Sequence, residues 1–263
     1  MTTHTTTEET PSITSADGHQ VPAVHLKSSS NCLVILSHGI STDKNEDGIY
    51  YDFARFLSPA FDSLRFDFRG HGDSSVPSIE CTVMGEILDF MAVLRWARSL
   101  NYVHLLHLAT SFGASITLLA MSKFEQMGLE AIAFWNPVIS YKNTFIEPTV
   151  AWARAFFDHR DVRELAYRPH TLITDSEFKI GPKMAMEFIY LDPAASTWPR
   201  ALPLLVVHGE NDSAVPFKDS AEYARRAGDC AKLCPISGVD HGFDNRLPEV
   251  FELTAEWFRE QVA

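Results

Sequence analysis

The sequence predicts an α/β protein, with an open, doubly wound, mostly parallel sheet and a helical cap inserted late in the chain. Three observations carry that expectation. Short apolar runs recur along the chain: CLVILS at 32–37, SLRFDF at 63–68, VHLLHLA at 103–109, AIAFWN at 131–136 and LPLLVVHG at 202–209. Each is too short for a helix and reads as a strand buried on both faces. Segments with helical apolar spacing separate them, and strands that alternate with helices imply right-handed crossovers and a parallel sheet. The rhythm then stops between Trp135 and Leu202, where no strand is evident but aromatic residues abound: Tyr141, Phe145, Trp152, Phe156, Phe157, Phe178, Phe188, Tyr190 and Trp198.

Taken in order, residues 1–10 are polar and threonine-rich, and are expected to form a disordered tail. SITSADGHQVPAVHLK (12–27) reads as two short strands about an Asp17-Gly18 turn. The strand at 32–37 ends at Gly39. Tyr50, Phe53, Ala54 and Leu57 share one face of a helix over 50–57. Met84 to Ala97 is an amphipathic helix, Val103 to Ala109 a strand, and a helix runs on from Ala114 to Met121. After the cap come the strand 202–209, a helix at 221–226, the strand AKLCPI (231–236) and a closing helix from Pro248 to Val262. The core is therefore 11–136 plus 201–263, and the cap is 137–200. With no repeat or low-complexity linker between them, the cap belongs to the same folding unit.

A chain of 263 residues supports one large domain. Its net charge of −12 argues against nucleic acid or an anionic membrane as partner, because both need clustered Lys and Arg. Cys32, Cys81, Cys230 and Cys234 form no Cys-x-x-Cys pair and no disulfide framework; Cys32 reads as a core strand residue and the rest as free thiols. The start, MTTHTTTEET, has no apolar leader, and no run is long enough to span a membrane, so a cytoplasmic setting is expected. No His, Asp and Cys cluster has metal-ligand spacing, and neither metal nor cofactor is expected.

In an open parallel sheet, ligands sit beyond the carboxyl ends of the strands, and the candidate residues all fall there. Ser111, in LATSFGAS, directly follows a strand and precedes a helix. A sharp strand-to-helix turn lifts a serine hydroxyl clear of the sheet, and needs small residues two before and two after it; Ala109 and Gly113 meet that need. The plainer reading is a serine N-cap. His241, in GVDHGF after the last strand, is placed to take a proton from Ser111 and hand it on. Asp212, in HGENDSAVP, could hold that imidazole; Glu210 is its competitor, and an Asx-turn is the structural alternative. Asp240 reads as a loop cap. Gly39 lets the chain bend after the first core strand, so that the amides of Ile40 and Phe112 can face a developing oxyanion. Gly39 and Trp135 are assigned to the substrate-binding wall. FDFRGHGDS (66–74) reads as a loop brace, with Asp67, Arg69 and His71 tying down turns, and His38 as a structural residue.

These pieces together resemble the α/β-hydrolase superfamily, whose order of serine, acid and histidine is that of Ser111, Asp212 and His241. The match runs from about Cys32 to the C-terminus. SHGIS and RFDFRGHGDS are most similar to the compact acyl-esterase and serine-aminopeptidase-like branch, which includes cinnamoyl esterases. The departure is Ala109 where the motif has glycine, an alanine also found in bacterial acyl-transferring thioesterases of the luciferase system. The resemblance implies a serine hydrolase acting on a carboxylic ester of a hydrophobic or aromatic small molecule through an acyl-enzyme. Two further readings stay open: a thioesterase, acyltransferase or cyclase acting on a carrier-bound or natural-product acyl group, and a non-catalytic ligand-binding protein on the same fold. The plainer reading of the cap aromatics is packing within the cap itself.

Overall fold

The computed structural model describes residues 6–124, 127–151, 154, 171–172 and 177–263. The strands are β1 (Thr7–Glu9), β2 (Ile13–Thr14), β3 (Gln20–Val21), β4 (Ala23–Lys27), β5 (Cys32–Ser37), β6 (Asp62–Phe66), β7 (His104–Thr110), β8 (Ala131–Trp135), β9 (Thr171–Leu172), β10 (Lys179–Ile180), β11 (Leu204–Gly209) and β12 (Ala231–Ile236). The α-helices are α1 (Ile49–Leu57), α2 (Val83–Arg98), α3 (Phe112–Lys123), α4 (Pro182–Tyr190), α5 (Phe217–Ala227) and α6 (Leu247–Gln261). One eight-stranded sheet runs in the order β1-β4-β6-β5-β7-β8-β11-β12. It is parallel from β6 to β12, and β4 is antiparallel to both β1 and β6.

The period of two along each strand sorts its side chains between two helical layers. Val34, Leu36, Leu106, Leu108, Ala133 and Trp135 pack with α1 and α6. Leu33, Ile35 and Leu64 pack with α2 and α3. Ile132, Phe134, Leu204 and Val206 pack with α3 and with Tyr223 of α5. Because both faces are covered, the central strands carry no polar alternation, which is why they read as continuous apolar runs. The carboxyl ends of β5, β7, β8 and β11 form one edge of this sheet.

Two expectations need correction. The first ten residues are not wholly a tail, since Thr7–Glu9 pairs antiparallel with His25–Lys27. Its side chains are exposed, so no apolar pattern announces it; backbone pairing and ion pairs from Glu9 to Lys27 (3.3 Å) and Glu8 to Arg65 (3.1 Å) hold it. The interval before Leu202 contains a short antiparallel pair, β9 with β10, too short to show alternation. The Asp17-Gly18 turn does join two paired strands, β2 and β3. Of the cap aromatics, Trp152, Phe156 and Phe157 lie outside the described residues. Tyr141, Phe145 and Phe188 pack on one another and on Phe112, which makes them core. Trp198 packs on Phe134 and Tyr223, and Tyr190 is exposed. Among the described residues, no helix is long and apolar enough to cross a membrane.

Candidate active site

Ser111 stands between the end of β7 and the start of α3 with φ 50° and ψ −115°, a conformation that L side chains rarely adopt. The turn is locked on both sides. The Ser111 amide donates to the Trp135 carbonyl (2.9 Å), and its own carbonyl accepts from the Val138 (2.9 Å) and Ala114 (3.2 Å) amides. A Cβ at Gly113 would lie 2.5 Å from the His38 carbonyl oxygen and 2.7 Å from that of Ser37, so α3 passes β5 at a distance only glycine allows. Ala109 is different: it is fully buried, lies within regular strand, and its methyl joins the cluster of Ala114, Leu118 and Phe134. The position requires smallness, and alanine supplies it.

Three distant segments meet at this turn. His241 Nε2 lies 3.2 Å from Ser111 Oγ, and His241 Nδ1 lies 2.7 Å from Asp212 Oδ2. The other carboxylate oxygen, Oδ1, accepts the amides of Ala214 (2.9 Å) and Val215 (2.7 Å). Burial opposes the charge on Asp212, but His241, through its charge and hydrogen bond, and the nearby His208 outweigh it and hold the carboxyl below the usual range. Burial likewise opposes charge on His241, and the adjacent Asp212 carboxylate overcomes it, so the imidazole is raised above its ordinary value. Glu210 is exposed and bonds to the Ser237 hydroxyl, away from the imidazole. Asp240 acts as the loop cap expected, accepting the Ser213 and His241 amides at 2.7 Å each.

The remaining predicted positions divide. Gly39 and Ile40 line a cavity of about 190 Å³ together with Ser111 and His241. Phe112 is the first residue of α3, so its amide has no intrahelical acceptor. Among the described residues, neither the Ile40 nor the Phe112 amide is engaged by another group. Trp135 is a correction: its ring does not line the cavity. It follows Ala131 and Ala133 onto the α1 and α6 face, where it stacks on Phe251 and donates through Nε1 to Thr254 Oγ1 (2.9 Å). Only its carbonyl reaches the Ser111 turn. A larger cavity, of about 700 Å³, opens at the opposite, amino-terminal edge of the sheet beside Leu129 and Pro203, and among the described residues has no serine or histidine in its wall.

The FDFRGHGDS segment is a brace, as read. Asp67 accepts the Lys44 amide (2.7 Å) and ammonium (2.8 Å) and the Asp73 amide (3.0 Å). Arg69 pairs with Asp89 and Asp17. His38 Nε2 accepts the Phe68 amide (3.0 Å) while Nδ1 donates to the Gly39 carbonyl (2.7 Å), and burial pushes this imidazole down to about 4, so it is neutral. Ligand atoms of His71, Cys81 and Glu86 lie close together in the core, but Sγ of Cys81 already sits 3.0 Å from both the Arg69 carbonyl and Glu86 Oε1. Burial pushes the Glu86 carboxyl and the Cys81 thiol up, towards their neutral forms.

Three residues at the site escape the sequence reading. Asn136, with φ 43°, donates through its side-chain amide to the His241 carbonyl and accepts the Gly209 amide (2.9 Å), tying the histidine loop to β11. His208 Nε2 lies 3.0 Å from Asp212 Oδ2, off the line of a good hydrogen bond, and its Nδ1 meets Ser220 Oγ at 2.7 Å. Glu46 lies in the cavity wall and accepts the Gly39 amide at 2.7 Å. Burial pushes its carboxyl up to about 8, against the opposing pull of the Gly39 bond and of His241.

No family model and no curated protein matches the sequence. Solved structures do match along nearly its whole length. Est1E from Butyrivibrio proteoclasticus with ferulic acid bound is 21% identical with a TM-score of 0.80, covering 96% of this chain and 99% of that one. The esterase Pf2001 of Pyrococcus furiosus is 18% identical with a TM-score of 0.71, covering 98% and 92%. A putative hydrolase from Agrobacterium vitis S4 is 17% identical with a TM-score of 0.77, covering 98% and 100%. Likeness at this level of identity speaks for architecture: the chain has the α/β-hydrolase fold.

Proposed function

We propose that this protein is a serine hydrolase that cleaves a carboxylic ester or thioester of a small molecule through an acyl-enzyme. The observation that carries the reading is the hydrogen-bonded line from Asp212 through His241 to Ser111, set on a strained turn beside two unengaged amides. In this reading, Ser111 Oγ attacks the carbonyl carbon while its proton passes to His241 Nε2. Asp212 fixes the tautomer with the Nδ1 proton towards itself and stabilises the imidazolium. The oxyanion is held by the Ile40 and Phe112 amides, the second at a helix N-terminus whose dipole favours negative charge. Collapse breaks the bond to the leaving oxygen or sulfur, which takes the proton from His241. Water then repeats the sequence, releasing the acid and restoring the serine.

A hydrolase fold with a non-catalytic role would lack such a chain or leave it idle, and labelling decides between them. A fluorophosphonate probe is expected to modify the protein once, and Ser111→Ala to abolish the modification. Undiminished labelling of Ser111→Ala overturns the assignment. Turnover of aryl esters against acyl thioesters separates ester from thioester chemistry.

A further inference from the structure

The wall of the Ser111 cavity is apolar on the side of Ile40, Val138, Phe145 and Val215, yet it also carries Glu46. The carboxyl is not there by chance of a mobile side chain. Its Oε2 is tied to the Gly39 amide at 2.7 Å, and Glu46, Asp47 and Gly48 hold successive φ values of 48°, 52° and 95°. Two non-glycine residues in that region are costly, and strain of this kind persists where the surroundings over-determine it. The second oxygen, Oε1, lies beside Gly39, as the serine does. A Cβ built on Gly39 would lie 3.2 Å from Glu46 Oε1, 3.2 Å from Ser111 Cβ and 3.7 Å from Ser111 Oγ. Oε1 and Oγ are therefore separated by no more than the sum of the first and last of these distances, a span that an acyl carbonyl and its neighbouring carbon can bridge. The nearby ammonium of Lys44 is committed to Asp67 and Asp73, and among the described residues no Lys or Arg lines the cavity. Thr144, 1% exposed and also in the wall, has a hydroxyl without a partner among the described residues, as does Thr42.

We propose that Glu46 is a specificity-determining residue that binds a hydroxyl or amino substituent on the carbon next to the carbonyl attacked by Ser111, so that the preferred substrates are small 2-substituted acyl esters or thioesters. The inference rests on the serine-hydrolase reading above and names its substrate class. A cavity of about 190 Å³ is small for a ligand site and suits a short acyl group. A plain acyl chain would leave Oε1 and the Thr144 hydroxyl desolvated without partners, and sites built to hydrogen-bond a substituent reject the analogue that lacks it.

The test compares three acyl thioesters of N-acetylcysteamine that differ at one position: propionyl, lactoyl and alanyl. Wild-type protein is expected to favour lactoyl or alanyl over propionyl by about tenfold or more in kcat/KM. The lactoyl and alanyl arms separate a hydroxyl ligand from an amino ligand. Glu46→Gln keeps an acceptor for the Gly39 amide but turns an NH2 group, which can only donate, towards the substituent, and is expected to reduce the ratio at least several-fold; the ratio cancels any general loss of activity. Thr144→Val is expected to reduce it less. A wild-type ratio near one, or a ratio unchanged in Glu46→Gln, overturns the proposal. If Ser111 is labelled by fluorophosphonate but no thioester turns over, protection from labelling by lactamide and alaninamide against propionamide reads the same preference. Equal protection then overturns the proposal, whereas absence of Ser111-dependent labelling overturns the hydrolase reading instead.

Discussion

Replacing Glu46 by glutamine should change how the stability of this protein depends on pH. In the folded chain the carboxyl is pushed from 4.5 up to about 8, first by burial, with Asp47 and Asp43 adding to it and the Gly39 amide and His241 opposing. A carboxyl whose folded-state value lies above its unfolded value binds more protons folded than unfolded. Stability therefore falls as pH rises between those two values, and the group contributes no slope outside them. Taken in full, a displacement of this size is worth about 5 kcal/mol at 1.36 kcal/mol per pH unit. The carboxyl opens onto a solvent-reachable cavity, so screening reduces this, and about 2–3 kcal/mol is the working figure. Glutamine carries no charge, like the protonated acid, and cannot ionise. Wild type and Glu46→Gln should melt together at about pH 4, and the variant should melt about 5–10 °C higher at pH 9. The readout is the difference between two thermal scans at each pH, which cancels every other titrating group. A difference that stays constant from about pH 4 to 9 would show that Glu46 ionises normally, and would refute the burial argument.

Other perturbations test the rest of the site. Asp212→Asn should lower kcat/KM by about 10³–10⁴, as loss of the orienting carboxylate does in such triads. Because Asp212 raises His241, the variant's acid limb in a pH–rate profile should also move to lower pH; an unmoved limb would place the titrating group elsewhere. Gly113→Ala should destabilise the fold by about 1–3 kcal/mol or more, since its methyl would meet two carbonyl oxygens at 2.5 and 2.7 Å, whereas Ala109→Gly should cost about 1 kcal/mol or less. Paired thermal melts check this, and equal effects would contradict the close approach of α3 to β5. Asn136→Ala removes the brace between the His241 loop and β11, and leaves the Gly209 amide without its acceptor. A loss of about 1–3 kcal/mol with slower fluorophosphonate labelling is expected; labelling at the wild-type rate would show that the loop holds itself.

Most of the architecture was legible because its strands are short and buried on both faces. Runs such as CLVILS and LPLLVVHG admit few other readings, and the carboxyl ends of parallel strands mark one edge of a sheet. That edge brought Ser111, Asp212 and His241 under consideration before any distance was known. Trp135 shows the weakness of the same argument. It too ends a strand, but parity along β8 sends it with Ala131 and Ala133 towards α1 and α6, and counting by twos from Ala133 would have shown this. Asn136 lies one residue further on, in a left-handed conformation that no motif announces. Glu46 sits in KNEDG, a charged stretch that reads as a solvated loop. Only the run of positive φ values turns its carboxyl inward, and such a run has no signature beyond Gly48.

The two acids at this site are best understood together, because His241 feels both. Asp212 receives two backbone amides on one oxygen and an imidazole on the other, so its charged form is solvated by the protein and its carboxyl is held low. Glu46 has one amide and a cavity, so its charged form lacks that support and its carboxyl is held high. Environment, and not residue type, separates them. The difference matters for the base. An ionised Glu46 would add to the pull that Asp212 already exerts and raise the imidazole further, leaving less of it free to accept the serine proton near neutral pH. A neutral Glu46 offers a hydrogen bond to a ligand without that penalty. A substrate that carries its own cation to Glu46 would draw it towards the charged form, but would also offset its field at His241. The acid beside the oxyanion loop can thus be polar towards a substrate and electrically quiet towards the base, and ionising it ends the second property while strengthening its acceptance from a substrate donor.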